Sequence, residues 1–203
     1  WVAAYLTNQF WGTGDPQRAV EVGQRALALA GTLEDAALQV VTHLFLGRAY
    51  YALGDYPQAM DFLRQNLVAL AGALLRERFG LPGLPSSMSR TWLARCLAEL
   101  GAFTEGLAQG EESLRIAEAV NQPNSLIVAC HGIGSVYLRK GDVHQALPWL
   151  ERGLEVSRVW DMPLLFYLVS STLGYAYVLS GRVSEALPLL EQSVLPEATE
   201  IMS

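Results

Sequence analysis

The sequence is short of the features that most function classes require. It has no long basic run, and its formal net charge is −6 over 203 residues. Nucleic-acid binding through phosphate neutralisation is therefore disfavoured. The longest apolar run, Leu67 to Leu75, falls far short of the ~20 residues that span a bilayer, so no membrane partner is expected. The first turn lacks a basic n-region and Trp1 is not an initiator residue, so no signal peptide is read. There is no phosphate loop, no HExxH and no GxSxG. The three histidines, His43, His131 and His144, lie far apart, and no two are spaced four residues apart on one helix face. Glu111 and Glu112 are most simply a solvated face. The sequence therefore points to no catalytic, cofactor or metal residue, and to a protein that is not an enzyme. Only two cysteines occur, Cys96 and Cys130, too few for a disulfide framework. They read as buried small hydrophobes in a reducing, cytoplasmic compartment.

What the chain does have is apolar residues, 51% against 17% charged, which favours a folded, well-buried chain over disorder. It also has a repeated spacing. With Gly47 as reference, Tyr50 is three residues on, Gly54 seven, Tyr56 nine, Ala59 twelve and Leu63 sixteen. Gly47 and Tyr50 fit one face of a helix that ends near Gly54, a residue able to take the left-handed conformation of a helix C-terminus. Asp55 can cap the following helix and Pro57 fits its first turn. Ala59 and Leu63 then share a face, and Gly47 and Ala59 are small where two antiparallel helices must come close.

Gly134, Tyr137, Gly141, Val143, Ala146 and Leu150 repeat the spacing, as do Gly174, Tyr177, Gly181, Val183, Ala186 and Leu190, 40 residues further on. Ala94, Leu97, Gly101, Phe103 and Gly106 give another copy, and Phe10, Gly14, Pro16 and Ala19 a first one. Only the step from Gly47 to Ala94, 47 residues, breaks the period, which implies about seven inserted residues. Self-similarity at a fixed period is the mark of a solenoid.

Leu46-Gly47, Tyr50, Gly54, Tyr56 and Ala59 stand at the signature positions of the tetratricopeptide repeat, and almost the whole chain resembles that family. A period of 40 departs from the usual ~34 and is similar to the long-helix variant of kinesin light chains and bacterial maltose-regulator-type activators. The resemblance implies an all-α fold, a right-handed superhelical solenoid of about five antiparallel helix pairs. The units run approximately over 1–31, 33–75, 87–120, 124–159 and 164–195. Their helices are placed near Val2–Trp11 and Pro16–Ala30, Leu33–Leu53 and Tyr56–Leu75, Ser87–Leu100 and Phe103–Val120, Asn124–Lys140 and Val143–Val159, and Leu164–Ser180 and Val183–Leu195, with Pro196 as a stop. Pro148 and Pro188 fall at equivalent places inside second helices and should bend them slightly. Units one and three carry Gly23 and Gly110 where the others carry Leu63, Leu150 and Leu190, which leaves a space for some neighbouring side chain to fill.

The irregular connection is Glu77 to Pro85, ERFGLPGLP, which excludes a continuing helix. It is read first as a longer loop on the solenoid edge. The alternative is a partner-contacting patch built on Phe79, Leu81 and Leu84, which requires Phe79 and Leu84 to be exposed together.

In such a stack the first helices line the concave side. Positions −6, −3, +1, +4 and +5 from Gly47 face inward. They give Leu44, Arg48 and Tyr51, then Thr91, Arg95 and Glu99, then His131, Ser135 and Arg139, then Ser171 and Tyr175, with Asn8 and Trp11 from the first unit. Arg48 and Arg95 suit a bidentate grip on a carboxylate. Tyrosine and tryptophan are common interface anchors. The function expected is a non-catalytic protein–protein interaction scaffold; the alternative is a sensor for a small ligand or signal peptide. The partner expected is a protein or peptide, with another domain of the same polypeptide as one candidate. Residues Arg76–Pro85, Thr91-Trp-Leu-Ala94 and Ala98-Glu-Leu-Gly101 also resemble the C-terminal repeat regions of large bacterial signalling proteins. That resemblance implies a regulatory arm cut from a longer chain.

Overall fold

The computed structural model describes residues 1–192. Among them there are ten α-helices and no strand. The helices are α1 (Val2–Gly12), α2 (Pro16–Thr32), α3 (Ala36–Ala52), α4 (Tyr56–Ala69), α5 (Pro85–Glu99), α6 (Phe103–Ala119), α7 (Pro123–Lys140), α8 (Val143–Val159), α9 (Pro163–Leu179) and α10 (Val183–Gln192). A 3-10 turn, Gly72–Arg76, follows α4. The expected helices are present, with two corrections in unit two. Its first helix begins at Ala36 rather than Leu33, because Asp35 caps it and Glu34 takes a φ of 52°. Its second ends at Ala69 rather than Leu75, where Leu70 turns into the core and Gly72 adopts a φ of 63°. Leu195 and Pro196 lie outside the described residues.

Local chemistry sets the boundaries. Asp15, Asp35, Asp55 and Asp142 each accept a hydrogen bond from the backbone N–H three residues on, and Gln122 does the same for Ser125. Each such cap satisfies one otherwise unpaired helix donor. Within each pair the turn passes through a glycine of positive φ: Gly14, Gly54, Gly101, Gly141 and Gly181. Between pairs the same conformation falls to Glu34, Asn121 and Asp161. Pro148 and Pro188 lie inside α8 and α10.

Helices touch their sequence neighbours throughout, and the odd-numbered helices also touch one another in series, α1 to α3, α5, α7 and α9. The first helices thus form a tight inner layer and the second helices an outer one, which is what curves the stack. Small and large residues alternate across each pair. A Cβ on Gly47 would lie 2.8 Å from Leu63, one on Gly134 2.7 Å from Leu150, and one on Gly174 2.5 Å from Leu190. In units one and three the arrangement is inverted. The hollows above Gly23 and Gly110 are filled by Leu46 and Ile133, each the residue just before the reference glycine of the next unit. Cys96 and Cys130 are buried and unpaired, and burial pushes both thiols up, to about 12 and about 11. They pack as small hydrophobes.

The 77–85 connection is packed down, which removes the docking-patch reading. Leu81 and Leu84 are buried and Phe79 is half-buried against the core. Arg78 braces the loop by donating to the Leu81 and Pro82 carbonyls. On the α7 side, Leu84 N–H donates to Ser125 Oγ at 2.8 Å and Gln122 Nε2 to the Pro82 carbonyl at 2.7 Å. On the other side Leu81 joins the core cluster that includes Ala4 of α1.

Candidate functional site: a cationic hollow on the concave face

The inner layer encloses a hollow of about 700 Å³. All five first helices and the loop contribute to its wall: Asn8 and Trp11 from α1, Arg48 and Tyr51 from α3, Trp92 and Arg95 from α5, His131 from α7, Leu165 and Leu168 from α9, and Leu81 from the loop. A smaller hollow, about 390 Å³, adjoins it and adds Glu99, Ser135, Arg139, Thr172 and Tyr175.

At its centre is an aromatic box that holds two guanidinium groups. Trp92 meets Trp11 edge-on at 5.6 Å and Tyr51 edge-on at 5.2 Å. Arg48 lies between the two indoles, 4.8 Å from the Trp11 ring and 5.3 Å from that of Trp92. Arg95 stacks 4.3 Å over Trp92 and 4.8 Å over Tyr51. Arg48 donates to Asn8 Oδ1 at 2.8 Å, but its Nε is buried without a partner. Neither arginine is among the ion pairs formed by the described residues. Burial first, and then the neighbouring Arg95, pull Arg48 down to about 10. It remains cationic at neutral pH, so the shift records a charge whose lost hydration the box replaces only in part. Replacing it with Met, which keeps the apolar stem and can contact the indoles through sulfur, should raise the unfolding free energy by about 1 kcal/mol. Urea denaturation of the variant against the parent measures this, and a loss of stability would show that the box compensates the charge fully.

Asn124 Oδ1, also in the wall, is likewise buried without a partner, whereas several other polar groups are paired. Tyr51 donates to Glu99 Oε1 at 2.8 Å, and Arg139 pairs with the same oxygen at 2.6 Å. His131 is 5% exposed and its Nε2 lies 3.0 Å from Thr172 Oγ1. Burial, then Arg95, hold His131 down at about 3, so the ring is neutral. Among the described residues no three of His, Cys, Asp and Glu converge to hold a metal ion, and no helix is long and apolar enough to cross a membrane.

Of the thirteen inward residues expected from spacing, eleven line one or both hollows. Three need correction, Thr91 although it lines the larger hollow. Leu44 is fully buried in the core and lines neither. Thr91 is 2% exposed and its hydroxyl is turned to Ser113 of α6 at 2.9 Å. Ser171 is exposed outside both hollows, bonded to the Leu168 carbonyl. All three stand at the −3 place, which in unit four is held by His131, a residue that lines both hollows. The spacing also missed residues. Met88, Val128 and Leu168 stand at −6, and Phe45, Trp92 and Thr172 at −2. The −6 place was in the template but its residues were not named, and the −2 place was not in the template.

Residues 87–158 and 40–65 match family models described as tetratricopeptide repeat. The chain carries tetratricopeptide repeats. Repeats of this kind generally mediate protein–protein interaction. The similar solved structures include the following three. A kinesin-light-chain protein of Podospora anserina with nearly identical TPR-like repeats is 22% identical with a TM-score of 0.64, covering 100% of this chain and 96% of that one. A Rap protein complexed with Competence and Sporulation Factor is 13% identical with a TM-score of 0.80, covering 95% of this chain and 53% of that one. A signal-transduction ATPase with a tetratricopeptide-repeat sensor from Pyrococcus horikoshii is 10% identical with a TM-score of 0.61, covering 87% of this chain and 26% of that one. At these identities the likeness shows the fold alone. By sequence, the 43 kDa receptor-associated protein of the synapse from Tetronarce californica is 28% identical over 159 residues, 76% of this chain. The match takes in 37% of that relative's length.

Proposed function

We propose that the concave face binds a protein or peptide, and that the chain is a single repeat domain, the non-catalytic, partner-sensing arm of a larger bacterial signalling protein. The observation that carries this reading is the aromatic box with two cations and, among the described residues, no acid in an ion pair with either. An anionic group on a partner would complete it, since guanidinium forks pair with carboxylates through two parallel hydrogen bonds. The Rap protein's complex with a factor and the ATPase's repeat sensor support a sensing role by analogy. The absence of a bilayer-spanning helix among the described residues is consistent with a cytoplasmic setting. The partner includes, as one case, another part of the same polypeptide.

The test is selection of a displayed random-peptide library on the immobilised chain. Peptides should enrich on the parent, and the double substitution Arg48→Glu, Arg95→Glu should release them while far-UV circular dichroism stays the same. Retention by the double variant would move the site to the convex face. A second reading, a sensor for a small ligand, draws on a different observation. The trough narrows to a hollow of about 700 Å³, a volume typical of small-molecule sites.

A further inference from the structure

We infer that the larger hollow is a site for a compact amphiphilic acid: one carboxylate on an aromatic or branched apolar body. The inference rests on the small-ligand reading and names its chemistry. The wall is apolar over most of its extent, with Phe45, Met88, Trp92, Leu165 and Leu168 facing the space. The ligand's body must therefore be apolar too, or it would strand polar groups away from water. The floor is cationic, formed by Arg48 and Arg95. Each guanidinium carbon lies close to an indole centroid, 4.8 Å for Arg48 and 4.3 Å for Arg95, and of the Arg48 donors Nη1 is given to Asn8. Arg48 Nε is a buried donor with nothing to donate to.

Charge balance points the same way. Among the described residues Asp161 is the one carboxylate in the wall of the larger hollow, and Glu99 in the smaller one is already paired with Arg139 and Tyr51. A site with two cations in a chain of net charge −6 concentrates positive potential where the protein is otherwise negative, and so favours an anion there. The shape selects a compact molecule over an extended one. Tyr5 and Trp11 of α1 and Leu81 and Pro82 of the loop face Met162, Pro163 and Leu164 at the start of α9, so the two ends of the array border one space.

The test uses the full chain with 4-phenylbutyrate, indole-3-butyrate and octanoate as probes, each beside its uncharged alcohol. Isothermal titration and tryptophan emission are the readouts, since Trp11 and Trp92 line the space. At least one acid should bind saturably at one site and quench emission, with its alcohol roughly ten-fold weaker. Arg95→Met should bring the acid down to the level of the alcohol and leave the alcohol unchanged. Arg48→Lys, which keeps the charge but loses the fork, should weaken the acid to a smaller degree. Acid and alcohol binding alike, or no acid binding at millimolar concentration, would overturn the inference. A peptide ending in phenylalanine is included with a free and with an amidated C-terminus. If only the free-terminus peptide binds, the compact acid is overturned and the site passes to a peptide end. Library peptides that enrich on the parent and survive Arg95→Met would leave the protein-binding reading standing while this inference falls.

Discussion

Leu150→Ala should lower the unfolding free energy by about 3 kcal/mol, within the range for emptying a fully buried leucine site. Leu150 has no exposed surface and rests on Gly134, where an added Cβ would sit 2.7 Å from its side chain. Gly134→Ala forces that overlap and should cost about 2 kcal/mol, despite alanine's better helix propensity. The double variant is the sharper measurement. Truncating Leu150 opens the space that the new methyl enters, so the two costs should fall short of their sum by at least about 1 kcal/mol. Urea unfolding followed by circular dichroism reads all three. Strict additivity would mean that α7 and α8 are not held by this contact.

The second large effect is a loss of stability in mild acid that traces to one ring. His131 titrates near 6.5 when unfolded and is held down at about 3 in the fold by burial and by Arg95. The unfolded chain therefore binds a proton that the folded chain refuses. Stability is fully present above about pH 6.5 and is lost as pH falls through the window between the two values. From pH 7 to pH 5 the parent should lose about 2 kcal/mol more than His131→Gln. His43 is lowered too, chiefly by burial, and contributes in the same direction in both proteins. Glu112 and Glu185 are held below the usual carboxylate range by Arg115 and Arg182, so their contribution is lost only at lower pH, outside that interval. Parallel pH profiles for parent and variant would show that His131 is protonated in the fold.

How much of this could be read in advance depends on whether a residue's role is local. The turn at Gly54 and the cap at Asp55 are decided within a few residues, and both stand as read. So does the close approach of two helices at Gly47 and Ala59, where a Cβ on Gly47 would lie 3.5 Å from the Ala59 carbonyl oxygen; that Leu63 fills the space above Gly47 is seen only in the structure. The occupants of the Gly23 and Gly110 hollows, Leu46 and Ile133, come from the next unit, so no single-unit template could name them. The start of α3 was misplaced because Glu34 takes a conformation that glycine holds elsewhere in the chain. At the candidate site the arginines and Tyr51 were legible from helical phase. Leu44 and Trp92 show the limit, since one slot in that phase is core and an apolar residue two places before the reference is wall.

The folded-down connection between α4 and α5 has a mechanical consequence. A stack in which every module grips only its immediate neighbours can fray from either end, one module at a time. Here a strap from the middle shares a core cluster with the first module, passes close to Tyr5 at Gly80, and is hydrogen-bonded to the fourth module through Leu84 and Pro82. Loosening the first module must strain that strap, so modules one to four should denature as one block rather than as a series of partial openings.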